Sequence, residues 1–227
     1  MNSDLQGRPF FASWSGGKDS CLALYRAIGQ GGGPRRLFTM FAEEGRSRSH
    51  GLPRTIIEAQ AAAMGIPVRI ETASWDDYES VFLDVLAELR DEGIVDGVFG
   101  DIDLAAHREW VERVCGSRGV RPHLPLWQEE RRDLLDDFIG AGFRAMIVVV
   151  DHRRLDESFL GRVLDRKTVM ELEAAGVDAC GEEGEYHSLV FDGPLFAAPL
   201  EISRGAIVRR DGYSFLETGC HGEVKAR

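Results

Sequence analysis

Apolar strand-like runs that alternate with amphipathic helical patterns predict an α/β protein built on a parallel, helix-covered sheet. Two further observations sharpen this. A glycine-rich loop, Ser15-Gly16-Gly17-Lys18-Asp19-Ser20, sits between the first strand-like run and the first helical one. Beyond Arg121 the alternation gives way to proline-bounded segments and β-branched runs. The expectation is therefore a Rossmann-like sheet with helices on both faces over residues 1–121, followed by a smaller α+β domain over 122–227.

Each element follows from local pattern. Pro9–Trp14 is apolar, partly aromatic and closed by Ser-Gly-Gly, as a buried strand would be. Asp19–Ile28 places Cys21, Leu22, Leu24, Tyr25 and Ile28 at helical spacing, and Gly29–Pro34 breaks it. Leu37–Phe41 reads as a second strand. Pro53–Met64 reads as a helix, with proline at its start and Gly65 just past its end. Pro67–Glu71, Asp77–Arg90, Val95–Phe99 and Ala105–Cys115 continue the strand–helix rhythm.

In the second half, His123–Trp127 is extended between prolines, Arg132–Ile139 is helical and Phe143–Val150 is a β-branched strand. Helical patterns near Leu155–Leu164 and Lys167–Glu173 precede strand-like Ser188–Phe191, Glu201–Arg209 and Tyr213–Glu217.

Composition narrows the function classes. Hydrophobic residues at 44% and charged residues at 29% are ordinary for a globular chain. A net charge of -11 argues against broad nucleic-acid binding, which needs a basic face, yet permits a local basic pocket. The start of the chain lacks a charged-then-apolar leader, and the best apolar run, Ala145–Val150, stops at Asp151, so neither secretion nor a membrane span is expected. Cys21, Cys115, Cys180 and Cys220 form no C-x-x-C pair, which disfavours zinc or a disulfide framework and points to a reducing cytoplasm.

The loop carries the first chemistry. Gly16 and Gly17 reach backbone angles closed to other residues and can present N–H groups at a helix N-terminus, an anion cradle. Lys18 adds a point charge for phosphate oxygens, Ser15 and Ser20 add hydroxyls, and Asp19 suits helix capping or a Mg²⁺ ion. A plain glycine turn with a capping aspartate would use the same residues; the strand before and the helix after favour the cradle. Asp19 after Lys18 excludes a Walker A loop, and Pro34 excludes a dinucleotide fingerprint at Gly29–Gly33.

Ser15-Gly16-Gly17-Lys18-Asp19-Ser20 matches the S-G-G-x-D-S signature of the PP-loop ATP pyrophosphatases. Cys180-Gly181-Glu182-Glu183-Gly184-Glu185-Tyr186-His187-Ser188, followed by Asp192-Gly193-Pro194-Leu195-Phe196, closely resembles a block of the diphthine–ammonia ligase family. Glu58–Pro67, His50 and Pro125-Leu126-Trp127 look like that family too, so the resemblance spans roughly the whole chain. It implies an adenine nucleotide alpha hydrolase-like fold. It also implies ATP and Mg²⁺ as cofactors, ammonium as co-substrate, and a carboxylate acceptor, namely diphthine on elongation factor 2. The implied reaction adenylates that carboxylate, releases pyrophosphate, and forms the amide with loss of AMP.

The resemblance implies site residues as well. Ser15, Gly16, Gly17, Lys18, Asp19, Ser20, Met40 and His50 would hold the nucleotide, with Asp19 on the metal. Arg46 and Arg48 flank His50 in a polar loop, and Met40 could equally be core packing. Lys18, Asp19, Glu182, Glu185 and His187 would serve catalysis, and Asp101, Glu183 and Glu185 the substrate. Which glutamate holds metal, orients ammonium or takes its proton stays open at this point, and a solvated acidic turn is the plainer reading. Cys180 reads as a small packed residue rather than a nucleophile, since no third group orients it.

One segment departs from the family pattern. Gly100–Glu109 replaces the Tyr-Gln pattern associated with diphthine-amidating members. A PP-loop enzyme with another acceptor, a nucleotide sensor without turnover, and a homo-oligomer all remain open.

Overall fold

The computed structural model describes residues 5–43, 45–47 and 50–220. It divides into two compact units. One gathers the described residues of Met1–Ser15, Asp19–Arg48 and Ile66–Glu129, the other those of Gly16–Lys18, Ser49–Gly65 and Glu130–Arg227.

The first unit is a parallel sheet of strands β1 (Pro9–Ser13), β2 (Gly33–Phe41), β3 (Val68–Thr72), β4 (Asp96–Val98) and β5 (Arg121–His123), in the order β3-β2-β1-β4-β5. Helices α1 (Lys18–Gly29), α3 (Tyr78–Asp91) and α4 (Ala105–Ser117) alternate with these strands. The predicted Rossmann-like α/β sheet is therefore what forms. Phe11, Phe38 and Met40 of β1 and β2 share one core with Phe82, Val85, Leu86 and Leu89 of α3 and Val111, Val114 and Cys115 of α4. On the other face, a Cβ at Gly32 would lie 2.8 Å from the Phe10 ring and 3.0 Å from the Ala27 carbonyl, so the end of α1 lies against Phe10. Helices on opposite faces are what right-handed crossovers require when the strand order reverses between β3 and β4.

Two boundaries moved for physical reasons. The break expected over Gly29–Pro34 becomes the start of β2, because Gly33 and Pro34 pair with Pro9 and Phe10. β3 pairs only from Leu37 onward, so the N–H missing at Pro34 falls where the ladder toward β3 has not begun. The extended stretch expected at His123–Trp127 appears as β5 at Arg121–His123, which joins the first sheet beside β4. Buried Asp96 clasps that edge through Nε and Nη2 of Arg121 (2.8 and 2.7 Å) and the His123 ring (2.7 Å).

The reversal lies between β1 and β4, where the chain ends of such sheets leave a crevice for ligands. There is no room for a side chain at the end of β4. A Cβ on Gly100 would stand 2.9 Å from both the Asp19 carbonyl carbon and the Ser20 nitrogen.

The second unit is an antiparallel sheet of order β7-β6-β9-β8, from β6 (Arg144–Asp151), β7 (Tyr186–Asp192), β8 (Ile202–Arg210) and β9 (Tyr213–Cys220). It also holds α2 (Arg54–Met64), α5 (Arg131–Gly140) and α6 (Arg166–Ala174). β6 is buried from Ala145 to Asp151 and forms the centre. Gly65 caps α2 in the left-handed conformation at φ 66, as its position predicts. Asp211 and Gly212, at φ 52 and 84, turn β8 into β9.

The helix expected near Leu155–Leu164 does not form. A single 3-10 turn at Glu157–Phe159 is followed by chain that bonds to β6, with Gly161 N–H donating to the Ile147 carbonyl at 2.8 Å and Leu164 N–H to Ala145 at 2.8 Å. Ladder bonding to a central buried strand outweighs the weak local helical pattern.

A Gly100→Ala chain should lose roughly 1–3 kcal/mol of stability, since the obstructing atoms are backbone that cannot rotate away. Urea denaturation checks this, and an unchanged midpoint would mean that β4 shifts freely.

Candidate functional site

Backbone docking builds the site in the second unit. The Gly16 carbonyl accepts from the Gln60 side-chain amide (2.9 Å) and from Val190 N–H (3.0 Å), and Gln60 also donates to the Val190 carbonyl at 2.7 Å. Lys18 N–H donates to Ser188 Oγ at 3.1 Å. Residues 16–18 are thus laid along β7 and held by α2. Gly16 sits at φ 81, and a Cβ there would meet Leu52, Ile57 and Gln60 within 2.7–2.9 Å. A Cβ on Gly17 would lie 2.5 Å from His50 Nε2, so the His50 imidazole rests directly on the loop.

This docking aims Lys18. Its side chain is buried, with Nζ 3.5 Å from Glu182 Oε1 and 5.8 Å from the centre of the Tyr186 ring. The His50 and His187 rings lie 4.8 Å apart at their centres. Each keeps part of its surface open. Exclusion of water and then the Lys18 charge hold His187 down at about 4. Exclusion of water, His187 and Lys18, in that order, hold His50 well below the usual imidazole range. Both shifts favour the neutral imidazole.

The acidic loop is organised from within. Gly181 and Gly184, at φ 78 and 83, provide its two sharp turns. Asp178 accepts from Cys180 N–H (2.9 Å), Glu182 N–H (3.0 Å) and Arg131 (2.8 Å). Glu185 is fully buried and accepts from Asp178 N–H (3.2 Å), Glu183 N–H (3.1 Å) and Arg154 (3.0 Å). Arg154 also binds the Glu183 carboxylate at 2.8 Å. Of the three glutamates, Glu182 faces Lys18, while Glu183 and Glu185 turn to Arg154.

The structure therefore brings together Gly16, Gly17, Lys18, His50, Glu182 and His187. Of the remaining expected residues, Glu183 and Glu185 lie in the second unit beside Arg154, and Ser15, Asp19, Ser20, Met40 and Asp101 lie in the first. Ser15 and Ser20 close the loop ends, their hydroxyls 3.0 Å apart. Asp19 stands in the first turn of α1. Asp101 lies 3.3 Å from His107 Nδ1, and Met40 is packed in the core shared with α3. Cys180 is buried. Arg46 belongs to the first unit, its carbonyl accepting from Ala42 N–H at 2.9 Å, and Arg48 lies outside the described residues.

Sequence reasoning missed Gln60, Ser188, Asp178, Arg131 and Arg154. Gln60 had a signal: it is a polar residue on the apolar face of an amphipathic helix, flanked by buried Ile56, Ile57 and Ala61. Asp178, two residues before Cys180, had the short-range pattern of an aspartate that bonds to backbone ahead of it. The arginines gave none, because their partners lie far off in sequence.

A cradle lined by Lys18, a carboxylate and two neutral imidazoles suits a polyanion on one side and a proton-exchanging reaction on the other. The glycines without room for a Cβ, the buried ammonium and the helix that starts at Lys18 fit nucleotide phosphates.

Known proteins resemble the chain over most of its length. A model of the diphthamide synthase N-terminal domain matches residues 10–122, and one of the diphthamide synthase C-terminal domain matches 130–219. Diphthine–ammonia ligase of Homo sapiens is 28% identical over 228 residues, covering 88% of this chain and 85% of that protein. The Rattus norvegicus enzyme is 28% identical, covering 93% and 91%. The Schizosaccharomyces pombe enzyme is 25% identical over 93% of this chain but only 38% of its own length. A solved structure, the "predicted subunit of tRNA methyltransferase" from Methanocaldococcus jannaschii, aligns at TM-score 0.46 and 17% identity, over 82% of this chain and 98% of that one. No helix among the described residues is long and apolar enough to cross a membrane.

Two outcomes test the geometry. Asp178→Ala strands two loop amides and Arg131, and should cost about 1–3 kcal/mol with faster hydrogen exchange at Cys180 and Glu182; unchanged exchange would mean the loop holds without it. An imidazole near 4 when folded and about 6.5 when unfolded binds more protons unfolded, so stability should fall as pH drops across that window. Urea midpoints over a pH series check this, and an equal slope in His187→Gln would assign the effect elsewhere.

Proposed function

The chain belongs to the diphthamide synthase family, and on that premise we propose that it is an ATP-dependent ligase that joins ammonia to a carboxylate, with AMP and pyrophosphate as products. The observation that carries this reading is Lys18, buried on a loop that β7 and α2 pin, with Glu182 as its counter-ion at 3.5 Å.

In the proposed reaction an acceptor carboxylate oxygen attacks the α-phosphorus and pyrophosphate leaves. Lys18 lies where it can follow charge onto the departing oxygens, and the pinned loop loses little freedom when it does so. Ammonia then attacks the acyl carbon and AMP leaves with the electron pair of the broken acyl–oxygen bond. Glu182, with part of its side chain open to solvent, is placed to take the proton that the nitrogen sheds. Glu185 acts as a positioning residue, since its carboxylate is engaged by two N–H groups and Arg154. Asp19, in the first turn of α1, is the carboxylate suited to Mg²⁺, which would supply charge neutralisation at the phosphates.

Relatives named diphthine–ammonia ligase support diphthine on elongation factor 2 as the acceptor. Asp101, on the loop after β4, would face an acceptor that carries positive charge, as the trimethylammonium of diphthine does. A reducing cytoplasm is the compartment that suits four free cysteines among the described residues.

Lys18→Met keeps the buried stem but removes the ammonium. Loss of charge-assisted hydrogen bonds worth roughly 1.5–3 kcal/mol should lower turnover about tenfold to a hundredfold while thermal stability holds. Chromatography of the nucleotide products settles the bond broken: ADP and phosphate from the unaltered chain would overturn the assignment.

A further inference from the structure

Two imidazoles beside an ammonium are an expensive arrangement unless something anionic joins them. Charged, they would repel Lys18 and each other. Neutral, they keep lone pairs and N–H groups to offer, with His50 Nε2 against Gly17 of the loop. His50 lies on Gly17, close enough that a methyl group would not fit between them, and His187 is 4.8 Å away by ring centres. An anion held by residues 16–18 therefore arrives at His50 and Lys18 together. Resting on the phosphate-site reading above, we propose that the His50–His187 pair is a second phosphate-binding element that takes up a proton as a polyphosphate enters.

Among the described residues, the charge that acts on both rings is that of Lys18. Lys18 comes from the start of α1, Glu182 from the loop before β7, and the Tyr186 phenol stands beyond Lys18 with its hydroxyl donated to the Ala179 carbonyl at 2.7 Å. Burial comes first at both rings; Lys18 follows it at His187, and at His50 it acts after burial and His187. A polyphosphate reverses the sign of the local potential: it engages Lys18 and adds several negative charges at the rings. One imidazole then gains a proton from solvent and donates a charge-assisted hydrogen bond to a phosphate oxygen. The empty pocket avoids a buried pair of like charges, and the filled one carries an additional cation. When pyrophosphate leaves, the proton leaves with it or returns to solvent, so the extra hold lasts only while the phosphates are present.

This predicts linkage between pH and nucleotide affinity. Where one proton is fully taken up, affinity falls tenfold for each unit rise in pH. Calorimetry of ATP binding to the full chain with Mg²⁺, in two buffers of different ionisation enthalpy at the same pH, reads the uptake directly. The expected result is a buffer-dependent enthalpy that corresponds to a net uptake of up to one proton, seen also with inorganic pyrophosphate and absent with adenosine. His50→Gln should reduce that uptake. In case a substituted chain fails to fold, the carbon resonances of the imidazoles in unaltered protein, followed over pH with and without ATP, give a second reading. Two of the six histidines should titrate at higher pH in the bound state. Measurable ATP binding with an enthalpy equal in both buffers would overturn the proton uptake and leave the nucleotide reading standing. Absence of any ATP binding would overturn both.

Discussion

The rest of the site depends on one backbone carbonyl. Gly16 O is shared by the Gln60 amide and Val190 N–H, and the same Gln60 reaches the Val190 carbonyl. Three stretches far apart in sequence thereby meet at a point with no side chain to separate them. Gly16 at φ 81 is needed for this, as a Cβ would enter the space of Leu52, Ile57 and Gln60. With that carbonyl fixed, Lys18 N–H falls on Ser188, and its side chain has one direction left, toward Glu182 and the histidines. The ammonium is placed by main-chain geometry rather than by its own long, flexible stem.

Much of the first sheet was legible because its signals are local. The apolar run at Pro9–Trp14, the proline and glycine that bracket α2, and the heptad-like stripe of α3 each depend on neighbours within a turn or two. Met40 shows the limit. A strand-end residue beside a phosphate loop looks like an adenine contact, but it is buried in the core shared with α3 and α4, and only the strand's facing decides that. Leu155–Leu164 failed for the opposite reason. Its helical pattern was real, but β6 offered carbonyls that a helix there would have left unmet.

The candidate site was legible as a list of residue types and illegible as a division of labour. Glu182, Glu183 and Glu185 are indistinguishable in sequence. Their fates differ because Arg154 lies after β6 and Arg131 at the start of α5, and those two guanidinium groups claim Glu183, Glu185 and Asp178. Glu182 is set apart from them by its ion pair with Lys18. The histidines were visible singly; that they form a pair depends on a loop and a strand more than a hundred residues apart.

The distance between Gly16 and Val190 along the chain also has a bearing on biosynthesis. A ribosome releases the first strand and the glycine loop early, long before the strand on which residues 16–18 are laid. Contacts of such long range form late in folding, since a large loop of chain must close first. The nascent protein therefore lacks these pinning contacts until Ser188 and Val190 have emerged, and a product that stops before them never forms them. Any task of the loop that needs those contacts must wait for β7.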